Sequence, residues 1–186
     1  MAVDVGAKAQ RAFLGRVGLL DAAPIELPEV GAPMTPRVWR PVNTMTIGFG
    51  HGIAVSPIQF AAAAAAMVNG GVYHPPTLLK RDSAAATGKR VISKRTSNQM
   101  RRLMRLVVEH GTGRKAAATG YLVGGKTGTA EKQGHGGYRR RALLSSFLGA
   151  FPINDPRFVV LAVLDEPRGN AKTQGYATGG WVAAPV

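Results

Sequence analysis

Residues 120–137 read GYLVGGKTGTAEKQGHGG, and the glycines in this run limit what the surrounding chain can become. Gly120, Gly125, Lys126 and Thr127 satisfy the phosphate-loop spelling G-x-x-x-x-G-K-[ST]. A phosphate loop needs a buried strand before its first glycine and a helix opening at the Lys-Thr pair, whose N–H groups and dipole hold the phosphates. Gly120 instead follows GTGRKAAAT, and Thr127 is followed by GTAEKQGHGG, with glycines at 128, 134, 136 and 137. Each glycine costs a helix about 1 kcal/mol relative to alanine, so this segment does not become one. It reads as an extended strand.

Two further strands follow. ALLSSFLGAF and RFVVLAVLDEP are apolar runs joined by PINDP, a loop short enough for an antiparallel hairpin. This pairing also tells against a nucleotide-binding sheet, because parallel strands need crossovers of about a dozen residues or more. The phosphate-loop reading, with Asp165 as its magnesium-side carboxylate, is a remote alternative.

The helices are signalled earlier in the chain. AKAQRAFLGRVGLL predicts a short helix ending near Gly15 to Gly18. A connection from Asp21 to Asn43, with prolines at 24, 28, 33, 36 and 41, favours extended backbone and excludes a long helix. SPIQFAAAAAAMVNGG carries the strongest helix signal. Ser56 is placed to cap it, Pro57 stands at the first helical position, and Gln59 completes a capping box. Asn69-Gly70-Gly71 stops it, and the alanines at 61–66 predict close packing against other backbone. Residues 74–95 read as an exposed, turn-rich excursion. A second helix is predicted from Thr96 to His110, with Met100, Leu103, Met104, Val107 and Val108 on its apolar stripe and Arg101, Arg102 and Arg105 opposite. WVAAPV, at the end of the chain, reads as the first turns of another helix.

Composition narrows the function classes. Cysteine is absent, and the four histidines are scattered without metal-ligand spacing, so neither thiol chemistry nor a metal site is expected. No cofactor is called for. The net charge is +14, yet aromatics make up only 6% and no nucleic-acid recognition pattern accompanies the basic clusters. A basic solvated surface is therefore preferred to a nucleic-acid binder. The longest apolar run, Phe60 to Val68, is too short to span a bilayer, and no signal-peptide pattern is visible.

On an edge strand, KTGT offers a cation, two hydroxyls and unpaired N–H groups along one line. The glycine between the threonines lets a substrate backbone lie close, as an added strand. Such an edge can bind a peptide ending in a carboxylate and donate an N–H to a developing oxyanion. KTGT is also a signature of serine enzymes that react with penicillin. Four ordered blocks extend the likeness: IGFGHGIAVSPIQFAAAAAAMVNGG, LMRLVVEHGTGRKAAATGYLVGGKTGTAEK, SSFLGAFP and GYATGGWVAAPV. Together they resemble the C-terminal part of the transpeptidase domain of class B penicillin-binding proteins, above all the division-specific peptidoglycan D,D-transpeptidases.

The resemblance implies an α/β (α+β) fold with an antiparallel sheet flanked by helices and an active site along one sheet edge. It implies that Lys126, Thr127, Gly128 and Thr129 form the third active-site motif. Lys126 would hold positive potential beside the active-site serines, and Thr127 and Thr129 would bind the carboxylate of substrate or β-lactam. The Thr129 N–H would supply half of the oxyanion hole, and Tyr176 to Trp181 would frame the end of the cleft. Implied partners are the peptidoglycan stem peptide, β-lactams and membrane proteins of the division machinery. The implied location is the bacterial periplasm, with the parent protein anchored to the inner membrane.

The family's S-x-x-K and S-x-N motifs are both missing. None of Ser56, Ser83, Ser93, Ser97, Ser145 or Ser146 has Lys three positions on or Asn two positions on. Val5-Gly6 resembles the junction that follows S-x-N, which places Ala2-Val3-Asp4 where that motif belongs. Covalent catalysis has no nucleophile within these residues. The expectation is that residues 1–186 are the C-terminal portion of a transpeptidase domain, inactive alone and prone to aggregate through uncovered apolar surface. The alternative is a non-catalytic peptide- or protein-binding module of the same fold.

Overall fold

The computed structural model describes residues 1–80, 88–134 and 137–186. The chain forms two compact units, Met1–Lys94 and Arg95–Val186. Among the described residues no helix is long and apolar enough to cross a membrane.

The first unit is mainly helical, with α1 (Ala2–Val5), α2 (Ala7–Arg16), α3 (Pro41–Gly48) and α4 (Pro57–Val68). The α4 start behaves as its sequence predicts: Gln59 N–H donates to Ser56 Oγ at 3.4 Å, and Ser56 N–H donates to Gln59 Oε1 at 3.1 Å. These bonds satisfy donors that every helix start leaves without intrahelical partners. Gln59 does more than cap. It is 1% exposed, and its amide nitrogen donates to the carbonyls of Gly18 at 3.1 Å and Asp21 at 2.6 Å. The helix start is thereby tied to the turn that follows α2. Around this tie Val17, Leu19, Ala63, Ala66 and Val91 form the core, with Phe13, Leu14 and Tyr73 packed against it.

Two features of this unit differ from the sequence reading. Pro41 does not prolong the extended connection but opens α3, and Asn43 Oδ1 accepts the Arg40 N–H at 2.9 Å. Proline is harmless at a first helical position because that N–H has no intrahelical partner. Within the 74–95 excursion, Lys89–Arg90 (β2) pairs antiparallel with Val72–Tyr73 (β1), while residues 81–87 lie outside the described residues.

The second unit holds α5 (Lys94–Glu109) and a three-stranded antiparallel sheet of β3 (Gly124–Gly134), β4 (Gly137–Phe151) and β5 (Phe158–Asp165), in the order β3-β4-β5. Between β4 and β5 the register runs without a shift from Phe151↔Phe158 to Leu144↔Asp165, as the short PINDP connection predicts. A short α6 (Gly179–Val182) contributes the adjoining Ala183 and Ala184 to a core with Val108, Val123 and Phe147. Each large apolar side chain so buried contributes roughly 1.5–3 kcal/mol.

The predicted stripe on α5 is partly wrong. Ser97, Met104 and Val108 are buried, but Leu103 is 57% exposed. The arginines explain the rotation. Arg105 donates to the Val123 carbonyl at 2.8 Å and Arg101 to the Asn154 carbonyl at 3.0 Å, so both half-buried side chains reach toward the sheet end.

Candidate active-site edge

Among the described residues β3 is an edge strand, and the register shows which of its backbone groups face away from β4. Glu166 donates its N–H to the Leu143 carbonyl, so odd-numbered residues at this end of β4 turn their backbone toward β5. Ser145 and Phe147 are the cross-strand partners of Thr129 and Thr127. Backbone direction alternates along a strand, so Thr127 and Thr129 direct their own N–H and C=O groups to the open edge. Lys126 and Gly128 instead bond to Leu148 and Ser146.

Side chains alternate as well. Thr127 and Thr129 share a face with the buried Phe147 and Ser145, whereas Lys126 and Gly128 lie on the other face. The structure thus brings the two threonines together and sets Lys126 across the strand from them. Lys126 bends back to the edge, its Nζ donating to the Thr127 carbonyl at 2.6 Å. On the face of Gly128 a β-carbon would meet Ser146 Oγ, so a side chain there would have to turn that hydroxyl aside.

Both hydroxyls are anchored from within the unit. Thr129 Oγ1 accepts the Gly179 N–H at 3.0 Å, and Thr127 Oγ1 lies 2.7 Å from Thr112 Oγ1. Ser145, fully buried, donates to the Ala177 carbonyl at 2.6 Å and holds the segment leading into α6 against the sheet. Tyr176 stacks on Trp181 at 5.1 Å, and Lys115 Nζ stands 4.3 Å from the Trp181 ring centroid. The local reading of KTGT did not reach Thr112, Ser145 or Gly179. Their only signal was their place within the ordered blocks, since each meets β3 through tertiary packing.

The phosphate-loop alternative fails on this geometry. Lys126 and Thr127 lie inside a strand, and no helix opens at them.

The transpeptidase-domain model of penicillin-binding proteins matches residues 1–186. The chain belongs to that family. It is 41% identical to a probable peptidoglycan D,D-transpeptidase FtsI of Caulobacter vibrioides, over 100% of this chain and 33% of the relative. The apo transpeptidase domain of Burkholderia pseudomallei penicillin-binding protein 3 superposes with a TM-score of 0.88 at 35% identity, over 99% of this chain and 55% of that structure. Penicillin-binding protein 3 of Mycobacterium tuberculosis, solved with ampicillin, superposes with a TM-score of 0.87 at 26% identity, over 99% of this chain and 44% of that one. The transpeptidase fold read from the sequence is therefore the fold observed, and the chain spans about a third of the curated relative's length.

Proposed function

We propose that residues 1–186 are the C-terminal portion of a peptidoglycan D,D-transpeptidase domain, and that the β3 edge is the substrate-binding wall of its active site. The observation that carries this reading is the open edge at Thr127 and Thr129, flanked by two anchored hydroxyls and Lys126.

A stem peptide ending in D-Ala-D-Ala would lie along β3 as an added strand. Its terminal carboxylate would take hydrogen bonds from Thr127 and Thr129, with Lys126 supplying positive charge. The outward Thr129 N–H would meet the carbonyl oxygen of the scissile bond as negative charge develops there; losing one such donor typically costs about 10²–10³-fold in rate. A serine Oγ supplied by an S-x-x-K motif outside these residues would attack that carbonyl, expel the terminal D-alanine and form an ester. The amine of a neighbouring stem peptide would then displace the serine. β-Lactams, with a strained amide beside a carboxylate, would enter the same wall. A membrane-anchored periplasmic parent working with division proteins completes the reading, as the resemblance to the division-specific transpeptidases implies.

The test is to read the frame upstream of the Met1 codon and to treat its complete product with a fluorescent penicillin. In-frame S-x-x-K and S-x-N motifs and one covalent label, reduced at least tenfold by Lys126→Ala, are expected. A product carrying both motifs that takes no label would overturn the proposal.

A further inference from the structure

Thr112 lies just past the end of α5, fifteen positions before Thr127 in sequence, and the two Oγ1 atoms are 2.7 Å apart. That distance is one hydrogen bond, so one of the two hydroxyl protons lies between the oxygens and the other remains to be used. Thr112 is held in place independently of the bond. Its carbonyl packs so closely under Gly180 that a β-carbon there would overlap it. The turn that follows is fastened by Lys115 over the Trp181 ring. Thr127 therefore meets a hydroxyl carried on a fixed stretch of backbone.

We infer that Thr112 is a positioning residue: it donates to Thr127 Oγ1 and leaves the Thr127 proton directed at the open edge, where it strengthens recognition of a carboxylate terminus. This rests on the reading of β3 as a carboxylate-binding wall. An anion at the edge accepts the Thr127 proton, which requires Thr127 to take its own inner hydrogen bond from Thr112. The resulting O–H···O–H···O⁻ relay polarises in one direction, and each bond strengthens the next. Thr129 is set the same way, because its oxygen already accepts the Gly179 N–H and its own proton remains free to donate. Two hydroxyls with inner lone pairs engaged by protein donors form a pair of outward donors, the complement of a carboxylate's two oxygens. An uncharged carboxamide terminus gains far less, since it polarises the relay weakly and brings N–H groups of its own.

The test uses the complete product that carries residues 1–186, with its S-x-x-K serine replaced by alanine, labelled with ¹⁵N and titrated with N-acetyl-D-alanyl-D-alanine and, separately, its C-terminal amide. The Gly128 and Thr129 backbone amides report binding. The wild type is expected to bind the acid at least tenfold more tightly than the amide. Thr112→Val is expected to weaken acid binding by about five- to tenfold, the worth of one hydrogen bond between neutral hydroxyls, with amide binding unchanged. Thr112→Ser is expected to restore the wild-type ratio. Thr112 is exposed, so Thr112→Ala offers a second deletion of the hydroxyl should valine disturb the fold. Unchanged acid affinity in both deletions, or equal weakening of acid and amide, overturns the assignment while leaving the carboxylate wall intact. A wild type that does not distinguish acid from amide overturns the wall itself, and the assignment with it.

Discussion

Gly179 donates its backbone N–H to Thr129 Oγ1 at 3.0 Å from a position with no space for a side chain, because a β-carbon there would overlap the carbonyl oxygens of Gly128 and Ser146. The α6 start thus touches two adjacent strands through backbone alone. This contact links the packing of the last helix to the orientation of a candidate binding hydroxyl.

Gly179→Ala should therefore act on both stability and the β3 edge. The atoms it strikes are backbone and cannot turn aside, so α6 must lift away. The expected loss is about 2 kcal/mol or more, the upper range for forcing volume into a packed site. Urea denaturation would read it as a lower midpoint, together with a displaced Thr129 amide resonance. A midpoint unchanged from wild type would mean that α6 is not seated as described.

Gln59→Leu removes a buried side chain of nearly the same volume and deletes two long-range hydrogen bonds, to Gly18 and Asp21. Two carbonyls lose their donor and Ser56 loses its capping partner. The expected cost is about 2–4 kcal/mol, at 1–3 kcal/mol for each buried group left unsatisfied and with partial relief from water. A denaturant titration that places Gln59→Leu within about 0.5 kcal/mol of wild type, the size of ordinary surface effects, would refute the tie.

Burial raises the Tyr73 phenol above its ordinary value of 10.0. The neutral form is thus favoured in the folded state. The unfolded chain ionises first as pH rises, so this contribution is complete below pH 10.0 and is lost as pH climbs through the folded value. Absorbance titration of the phenols should show one group titrating late, and that group should vanish in Tyr73→Phe. A Tyr73→Phe difference spectrum with its midpoint at or below 10.0 would contradict the packing.

Lys132 reaches across the sheet to Asp165 at 2.9 Å and Glu166 at 3.1 Å, and Arg139 also meets Glu166 at 3.1 Å. Hydrogen bonds to Asp165, then to Glu166, raise the Lys132 pKa above 10.5. Its contribution is complete below pH 10.5 and is lost as pH rises through the folded value. The group is solvent-accessible, so Lys132→Met should change stability only slightly, and less still at high salt. The informative measurement is the ammonium nitrogen shift of Lys132 against pH. A midpoint at or below 10.5 would show that the ion pairs do not form in solution.

Much of this fold is legible in the sequence, and the legible parts share a cause. The α4 start follows from Ser56, Pro57 and Gln59, residues whose effect is exerted within one helical turn. The β4–β5 pairing follows from two apolar runs and a short link, because a connection of that length permits little else. The exclusion of a phosphate loop follows from four glycines where a helix would have to begin. Helix α3 was not legible, since Pro41 has the same local preferences whether it ends an extended run or opens a helix. Nor was the rotation of α5, which depends on carbonyls of Val123 and Asn154 that only the fold presents to Arg105 and Arg101.

The same division runs through the candidate site. Residues 126–129 by themselves determine a strand bearing one cation, two hydroxyls and a glycine gap, because alternation and glycine's missing β-carbon are local facts. Only the tertiary structure decides that Thr127 and Thr129 turn their backbone groups to an open edge, and that Thr112 and Gly179 stand behind their hydroxyls. Register and helix seating depend on contacts between residues as many as fifty positions apart. Propensity reaches only a few residues along the chain, whereas such contacts form only when the whole sheet and its helices close together.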